Sequence, residues 1–251
     1  MMDNVLSIRG LTKRFGGLAA VDGVDLDFPY GVLSAVIGPN GAGKTTLFNL
    51  ITGMLPADAG EVIFEGDDIA GLRPHQIVAR GLSRTLQIKS VFTGLTVADN
   101  LRVAVMAHEK IASPFRPAAG FAGVNRRVEE LLAETGLARL AKRVAGTLSY
   151  GDVALLEIAL ALANKPKLLL LDEPICGMSP AETETTVARI LALSKTTQII
   201  LIEHDMEVVF AIAERITVMA AGRVLARGTP KEIAANSDVQ DAYLGAPEEA
   251  A

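Results

Sequence analysis

The sequence predicts an α/β fold with a mostly parallel sheet, an antiparallel β part and an inserted helical subdomain. Three observations lead to this prediction. An apolar run at 32–37 precedes a glycine-rich loop, which is followed by a helical pattern. Apolar strands and helical segments alternate between 167 and 219, as is typical of a parallel sheet covered by helices. Between about 87 and 144 only helical patterns occur.

The composition favours a globular protein with a large core, since 50% of the 251 residues are apolar and 21% are charged. Lys+Arg 24 against Asp+Glu 29 gives a net charge of −5, which argues against nucleic acid as a partner. The one cysteine, Cys176, excludes an intrachain disulfide and fits a reducing cytosol. No apolar run approaches the roughly 18 residues of a spanning helix, and the first residues do not resemble a signal peptide. We therefore expect a protein that is soluble by itself.

The predicted elements of the N-terminal part are bounded by turn residues. Strands at 5–15 and 24–28 alternate in polarity like an antiparallel pair, and Pro29 and Gly31 end the second one. They are followed by a buried strand at 32–37, a helix to about 52, a strand at 61–64, a helix from Pro74 to about 81 and an extended segment at 83–88.

The glycine-rich loop after the strand at 32–37 fits the pattern G-x-x-x-x-G-K-[ST]. It comprises Gly38, Pro39, Asn40, Gly41, Ala42, Gly43, Lys44 and Thr45, with Thr46 next in the first helical turn. The glycines let several backbone N–H groups point at one anion, and the helix N-terminus adds partial positive charge. Lys44 would contact the β- and γ-phosphates, and the Thr45 hydroxyl would hold Mg²⁺. Strand, loop and helix together predict a nucleoside triphosphate site rather than an ordinary glycine turn.

The second half of the chain is predicted to begin with helices and then to alternate between strands and helices. The helices lie at about 96–110, 125–134 and 153–163; later come strand 167–171, helix 181–193, strand 198–202, helix 206–213, strand 216–219 and hairpin strand 222–228. We expect a single domain, in which 1–86 and 145–251 form the catalytic core with its antiparallel β part and 87–144 form the helical subdomain.

Two acids follow the apolar strand at 167–171. Parallel sheets place ligands at the carboxyl ends of their strands, which is where Asp172 and Glu173 stand. Asp172 is predicted to contribute to the Mg²⁺ shell, and Glu173 to polarise a water for attack on the γ-phosphate. The alternative is a solvated strand end with two surface acids.

A histidine follows the next apolar strand, at 198–202. If this strand runs parallel to the others, His204 lies at the phosphate edge of the sheet, where an imidazole can bridge the γ-phosphate and the attacking water. The alternative is a histidine with a structural role.

With these residues placed, nearly the whole chain resembles the ATP-binding subunit of an ABC transporter. Residues 148–152, Leu-Ser-Tyr-Gly-Asp, resemble the signature loop of this family, and 177–180 resemble its D-loop. The resemblance implies that Ser149 and Gly151 contact ATP bound to a partner and that His204 is the switch histidine. It implies that Gln87 touches Mg²⁺ and the attacking water. Phe15 stands where the family stacks an aromatic on adenine, although it could be a core residue instead.

Several segments narrow the resemblance to importers of branched-chain amino acids, whose relatives import urea, amides or similar solutes. They are 83–87, 150–152, 202–206 and 241–245. The family usually has Gln-Arg-Arg after the signature and an Arg further on, whereas this chain has Val153, Ala154, Leu155 and Leu160. We expect ATP binding to be retained and turnover by the lone chain to be low.

The resemblance implies integral membrane permease subunits and a second, identical or related, ATP-binding subunit as partners. It also implies indirect cooperation with a periplasmic solute-binding protein and a cytoplasmic location, peripheral on the inner face of the membrane. The segment 91–95 is expected to contact the permease, with Phe92 either exposed for this purpose or part of the core. Alternatives are lipopolysaccharide export or a soluble ABC-type ATPase. A generic kinase is disfavoured because it would not require the Leu-Ser-Tyr-Gly-Asp loop, and a GTPase because the guanine-type Asn-Lys-x-Asp motif is missing.

Overall fold

The computed structural model describes residues 4–85, 91–111 and 120–244. The chain divides into two compact units, one formed by Met1–Arg80 with Gln198–Ala251 and the other by Gly81–Thr197. Within the described ranges, no helix is both long and apolar enough to cross a membrane.

Strands and helices alternate through most of the described residues. In chain order the strands are β1 (Asn4–Phe15), β2 (Leu18–Pro29), β3 (Ser34–Ile37), β4 (Ala59–Phe64), β5 (Asp67–Asp68), β6 (Leu82–Arg84), β7 (Leu168–Asp172), β8 (Gln198–Ile202), β9 (Arg215–Ala220) and β10 (Arg223–Gly228). The helices are α1 (Lys44–Ile51), α2 (Pro74–Ala79), α3 (Val97–His108), α4 (Ala122–Glu134), α5 (Tyr150–Leu162), α6 (Pro180–Leu193), α7 (Met206–Ile212), α8 (Pro230–Ala234) and α9 (Ser237–Leu244). Two 3-10 helices lie at Ala138–Leu140 and Ala145–Thr147.

The first unit contains an antiparallel sheet in the order β2-β1-β4-β5. This confirms the predicted antiparallel pair, but β2 begins at Leu18 instead of 24. The early part of β2 was not predicted because the register shifts along its pairing with β1, for example between Leu11 and Lys13, which lie opposite Val24 and Val21. Such shifts break the two-residue alternation from which a strand is predicted.

The first unit also contains four paired strands, of which the three neighbours β8, β3 and β9 run parallel. β3 pairs in parallel with β8 on one side and with β9 on the other, and β10 forms an antiparallel hairpin with β9. All four residues of β3 are buried, as expected for a strand covered on both faces. Val36 lies opposite Ile202. The loop after β3 and the residues after β8 therefore leave the sheet at the same edge, which confirms the predicted parallel direction of β8.

In the second unit, β6 and β7 form a parallel pair in which Arg84 lies opposite Leu170. The helix α5 packs against both strands and against α3, α4 and α6. It begins at Tyr150, three residues earlier than predicted, because the Ser149 side chain caps it by accepting a hydrogen bond from the Asp152 N–H. The Tyr-Gly-Asp residues of the predicted signature loop therefore form the first helical turn.

The helical segment of the second unit contains α3 and α4, which pack against each other. An isolated antiparallel bridge joins Thr96 to Val144, close to its predicted C-terminal limit. The limits 87 and 144 of the helical subdomain stay a prediction.

Candidate functional site

The glycine-rich loop of the first unit packs closely against the backbone of two neighbouring strands, at Met219 and Ala20. Gly38 has φ 148°, and a Cβ there would lie 2.1 Å from the Met219 carbonyl oxygen. Gly43 has φ 99°, and a Cβ there would lie 2.2 Å from the Ala20 carbonyl oxygen. A larger residue at either position would need both a left-handed backbone and displaced neighbours. The two glycines therefore hold the backbone in a shape that only glycine allows.

The helix α1 begins at Lys44, directly after this loop. No side chain caps it within the described part of the chain, and its first turn has no acidic residue to neutralise its positive end. The buried Lys44 donates hydrogen bonds from Nζ to the carbonyl oxygens of Gly38 (2.6 Å) and Pro39 (3.0 Å). Thr45, half-buried, occupies the same first turn. The uncapped start of α1 and the ammonium group of Lys44 thus lie together at the end of the loop, which are groups that a phosphate site requires.

The C-terminal helix α9 places Tyr243, within the segment 241–245 that resembles the importers, beside the glycine-rich loop. The buried hydroxyl of Tyr243 has no hydrogen bond of normal geometry to any described residue. Burial raises the pKa of Tyr243 to about 12, and the nearby backbone amide of Gly38 acts in the opposite direction. The phenol is therefore neutral at physiological pH and lies beside the first glycine of the loop.

Phe15 ends β1 and is 49% exposed. The Lys13 ammonium lies 5.8 Å from the centroid of its ring. The alternative that Phe15 belongs to the core is wrong, and its ring is accessible to a planar ligand.

His204 follows β8, at the edge of the sheet from which the glycine-rich loop also leaves. Its side chain is 57% exposed, and its Nδ1 lies 3.8 Å from Oε2 of the buried Glu203. The same Glu203 oxygen accepts a hydrogen bond from the His204 N–H at 3.1 Å, and Asp205 caps α7 through the Val208 N–H. The buried carboxylate thus fixes the turn that carries the histidine.

In the second unit, Asp172 ends β7 with a fully buried side chain. Its Oδ2 accepts a 2.5 Å hydrogen bond from Nη2 of Arg84, whose side chain is also buried. Its backbone N–H donates to the Thr85 hydroxyl at 3.2 Å. The alternative of a solvated surface acid is wrong for Asp172.

The second carboxylate oxygen of Asp172 provides a test of whether Mg²⁺ fits. Oδ1 is buried and has no hydrogen-bond partner among the described residues, which is costly unless a ligand satisfies it. In these ranges no three His, Cys, Asp or Glu side chains cluster, so no all-protein metal cage is present there. Mg²⁺ usually takes one or two protein oxygens together with water and substrate phosphates. One unsatisfied carboxylate oxygen therefore fits Mg²⁺ better than a metal that needs several protein ligands.

Glu173, the next residue, has φ 50°, a left-handed conformation that is uncommon for residues other than glycine. Strained backbones of this kind concentrate at functional sites. Together with Asp172 and Thr85, Glu173 lines a cleft of about 440 Å³. Val153 and Ala154, two of the departures from the family pattern, line the same cleft.

The other two departures from the family pattern are covered to different extents. Leu155 is only 5% exposed and Leu160 is half-buried. Of these apolar residues, Val153 and Leu155 are buried in the second unit, whereas Ala154 and Leu160 are partly exposed. Gln87, predicted to touch Mg²⁺ and water, lies outside the described residues.

Ser149 and Gly151 occupy the start of α5. The Gly151 N–H donates to Oε1 of Glu182 at 3.2 Å. Glu182 was missed as a site residue, although the pattern Ser179-x-x-Glu182 is a recognisable capping box. The sequence pattern indicates its contact with Ser179 but not its contact with Gly151.

Arg84, within the segment 83–87 that resembles the importers, is the charge partner of Asp172. We expect Arg84→Met to lower the free energy of unfolding by about 3 kcal/mol, because it leaves a buried carboxylate unpaired. Urea unfolding without nucleotide and Mg²⁺ measures this. The double variant Arg84→Met with Asp172→Asn is the control and should recover most of the loss. Equal losses in the single and double variants would contradict the ion pair as the cause.

Comparison with known families gives two matches. The sequence model described as "ABC transporter" matches residues 21–176. A second one, described as "Branched-chain amino acid ATP-binding cassette transporter", matches residues 223–249.

Curated relatives match over almost their whole length. The chain is 42% identical over 250 residues to the high-affinity branched-chain amino acid transport ATP-binding protein BraF of Pseudomonas aeruginosa, covering 96% of this chain and 98% of BraF. It is 41% identical over 258 residues to the corresponding protein LivG of Escherichia coli K12, covering 98% and 99%. A probable LivG of Archaeoglobus fulgidus is 36% identical, with 96% of each chain covered.

Solved structures agree with the fold. A nucleotide-free ATP-binding cassette from an ABC transporter superposes with a TM-score of 0.86 at 30% identity, covering 97% of this chain and 100% of that chain. The ADP conformation of MJ1267, an ATP-binding cassette of an ABC transporter, superposes with a TM-score of 0.84 at 32% identity and the same coverage.

Proposed function

Because the chain belongs to the ABC transporter family of ATP-binding and ATP-hydrolysing proteins, we propose that it energises a membrane importer of branched-chain amino acids or related amino-acid and amide solutes. The observation that carries the solute class is the match of 223–249 to the branched-chain amino acid cassette. That segment includes Tyr243, which lies beside the glycine loop. Relatives named for branched-chain amino acid transport, similar from end to end, support the same solute class.

We propose that ATP is bound by the glycine-rich loop and the first turn of α1. The backbone N–H groups and Lys44 stabilise the phosphate charge, and Phe15 offers an exposed ring to the adenine. The proposed contacts are Phe15, Gly38, Pro39, Asn40, Gly41, Ala42, Gly43, Lys44, Thr45 and Thr46.

Mg²⁺ is the proposed metal, with Thr45, Asp172 and Gln87 as its protein-derived contacts. When bound, it neutralises charge on the phosphate oxygens. The unsatisfied Oδ1 of Asp172 supports this assignment, because Oδ2 is already held by Arg84. The ion pair with Arg84 orients the carboxylate, so that one oxygen remains for the metal or for a water bound to it.

Hydrolysis is assigned to Glu173, His204 and Gln87. A carboxylate at Glu173 can accept the proton of an attacking water and orient it in line with the γ-phosphate. The His204 imidazole, exposed and anchored through its backbone by Glu203, can hydrogen-bond to the same reacting groups.

A second ATP-binding subunit, identical or related, is the proposed partner in ATP binding. Ser149 and Gly151 are the groups proposed to cover the γ-phosphate of its nucleotide. Low turnover by the lone chain stays a prediction, supported by the apolar Val153, Ala154 and Leu155 at positions where the family usually has polar or basic residues.

The proposed permease contact is the segment 91–95. Phe92 is 58% exposed, so the alternative of a core residue is wrong. The buried Asn100 holds the segment from α3: its Oδ1 accepts from the Phe92 N–H at 2.8 Å and its Nδ2 donates to the Phe92 carbonyl at 3.1 Å. Leu95 and Val144 are also exposed and extend the apolar surface. An anchored aromatic with apolar neighbours suits a groove that receives a permease helix at the inner face of the membrane.

Cysteine crosslinking tests this contact. In a Cys176→Ser background, we expect Phe92→Cys to crosslink to a cytoplasmic helix of the permease, because the ring is exposed on an anchored loop. Val103→Cys is the matched control, since Val103 is exposed on α3 outside the segment. Crosslinks from Val103→Cys but none from Phe92→Cys would contradict the segment 91–95 as the permease contact.

Reconstitution tests the function as a whole. The chain would be assembled with the permeases and second cassette encoded by neighbouring genes, and ATP-driven uptake measured with labelled leucine, isoleucine and valine. Urea and short amides form the second set of solutes. Saturable, ATP-dependent uptake of one set is the expected result. Outward movement of lipopolysaccharide, or ATPase activity with no membrane partner, would replace the importer assignment by one of its alternatives.

A further inference from the structure

The carboxylate of Glu182 joins two loops of the second unit. Its Oε2 accepts hydrogen bonds from the Ser179 N–H (3.0 Å) and hydroxyl (2.7 Å), which forms the capping box of α6. Its Oε1 accepts from the Gly151 N–H (3.2 Å). A Cβ on Gly151 would lie 3.1 Å from the Glu182 Cβ, so a larger residue there would push the Glu182 side chain away by a few tenths of an ångström. The two oxygens therefore hold the end of the predicted D-loop and the predicted signature loop together.

The Glu182 carboxylate accepts several hydrogen bonds, as a bound anion would. Hydrogen bonds from the Ser179 side chain and backbone, the Ser149 side chain and the Gly151 backbone lower the pKa of Glu182 to about 2. The carboxylate is thus ionised at physiological pH, and it takes hydrogen bonds from the start of α5, where the positive end of the helix dipole lies. Ser149 and Gly151 therefore already hydrogen-bond to a carboxylate of their own chain, that of Glu182.

A second capping box in the chain shows that stabilising α6 does not require this arrangement. Glu232 of α8 accepts from the Thr229 N–H (2.7 Å) and hydroxyl (2.9 Å) in the same way. The hydrogen bonds that lower the pKa of Glu232 come from Thr229 only. The contact of Glu182 with Gly151 is therefore additional to capping.

We propose that Glu182 is an intramolecular stand-in for phosphate, which occupies the Ser149 and Gly151 donors until nucleotide on a partner subunit displaces it. This inference rests on the proposed function, in which those two residues bind the γ-phosphate across the pair. While the partner is absent, the Glu182 carboxylate keeps the predicted signature loop in the conformation that binds the partner's nucleotide. It also opposes premature pairing, because an incoming phosphate must compete with it for the same donors.

The test compares ATP-dependent pairing of variants by analytical ultracentrifugation, in a Glu173→Gln background, alone and with the second cassette. We expect Glu182→Gln to lower the ATP concentration for half-maximal pairing by about tenfold, within the range usual for coupling between two ligands. Glu184→Gln is the matched control, because Glu184 is an exposed acid on the same helix. Glu232→Gln controls for weakening a capping box elsewhere.

Hydrogen exchange of the lone chain provides a second readout. The Gly151 amide should exchange at least about tenfold faster in Glu182→Ala than in Glu184→Ala, since only the first substitution removes its acceptor. Equal exchange in the two variants would overturn the inference.

Failure of the inference and failure of the proposed function give different results. Binding of a fluorescent ATP analogue and pairing of the parent chain test the function first. If the parent binds nucleotide and pairs, while Glu182→Gln needs as much ATP as Glu184→Gln or more, only the inference is wrong. If no variant binds nucleotide or pairs, the proposed site is wrong and the inference falls with it.

Discussion

Replacing Glu173 by Gln is expected to leave ATP bound and to slow its hydrolysis by a factor of about 10² to 10⁴, the usual contribution of a general base. The amide keeps the shape and hydrogen-bonding capacity of the side chain but cannot accept a proton from water. The structure supports this choice, because the left-handed backbone at Glu173 follows the buried Asp172 and the residue lines a cleft.

Single-turnover hydrolysis and equilibrium binding of ATP, measured on the same preparations, would separate the two effects. Glu157→Gln is a suitable control, because Glu157 lines the same cleft from α5. A large loss in Glu173→Gln together with a small one in Glu157→Gln identifies the carboxylate that acts on water. Hydrolysis at the parent rate in Glu173→Gln would reject the assignment.

Lys44→Ala should weaken ATP binding by about tenfold or more and abolish measurable hydrolysis. The lost interaction is a hydrogen bond from a charged group, worth about 1.5–3 kcal/mol in binding, and such donors contribute further as charge develops in the transition state. Because Nζ also bonds to the carbonyl oxygens of Gly38 and Pro39, the substitution removes internal support from the loop.

Lys44→Met separates these contributions, since it keeps most of the aliphatic stem of the buried side chain while removing the charge. Both variants would be assayed at saturating ATP and Mg²⁺, with thermal unfolding recorded to confirm that they fold. Normal turnover in either variant would contradict the phosphate site. Loss of activity in Lys44→Ala alone would indicate that packing, and not charge, is what matters.

Local patterns were sufficient to predict most of the strands and helices, and the chemistry proposed for the site was read from the same patterns. The glycine loop, the apolar strand before it and the helix after it lie close together in the chain, so their order alone predicts a phosphate site at Lys44. The run 198–202 was predicted with the limits that β8 has, because a fully covered parallel strand is continuously apolar. The exposed or buried state of Phe15 and Phe92 could not be decided this way, since exposure depends on what packs against a side chain.

Tertiary structure alone decided which residues assist these groups. Arg84 and Asp172 are 88 positions apart and meet because β6 and β7 pair in parallel. Glu182 and Gly151 are 31 positions apart and meet because α6 packs against α5. Tyr243 reaches Gly38 through the packing of the C-terminal helix.

The sequence by itself therefore determined the glycine-rich loop between β3 and α1, the two acids at the end of β7 and the α/β class, because backbone geometry and hydrophobic periodicity act over a few residues. The fold decided the ion pair between Arg84 and Asp172, the hydrogen bond from Gly151 to Glu182 and the position of Tyr243 beside Gly38. Each of these contacts joins segments that are far apart in the chain, and such contacts are not encoded in the spacing of neighbouring residues.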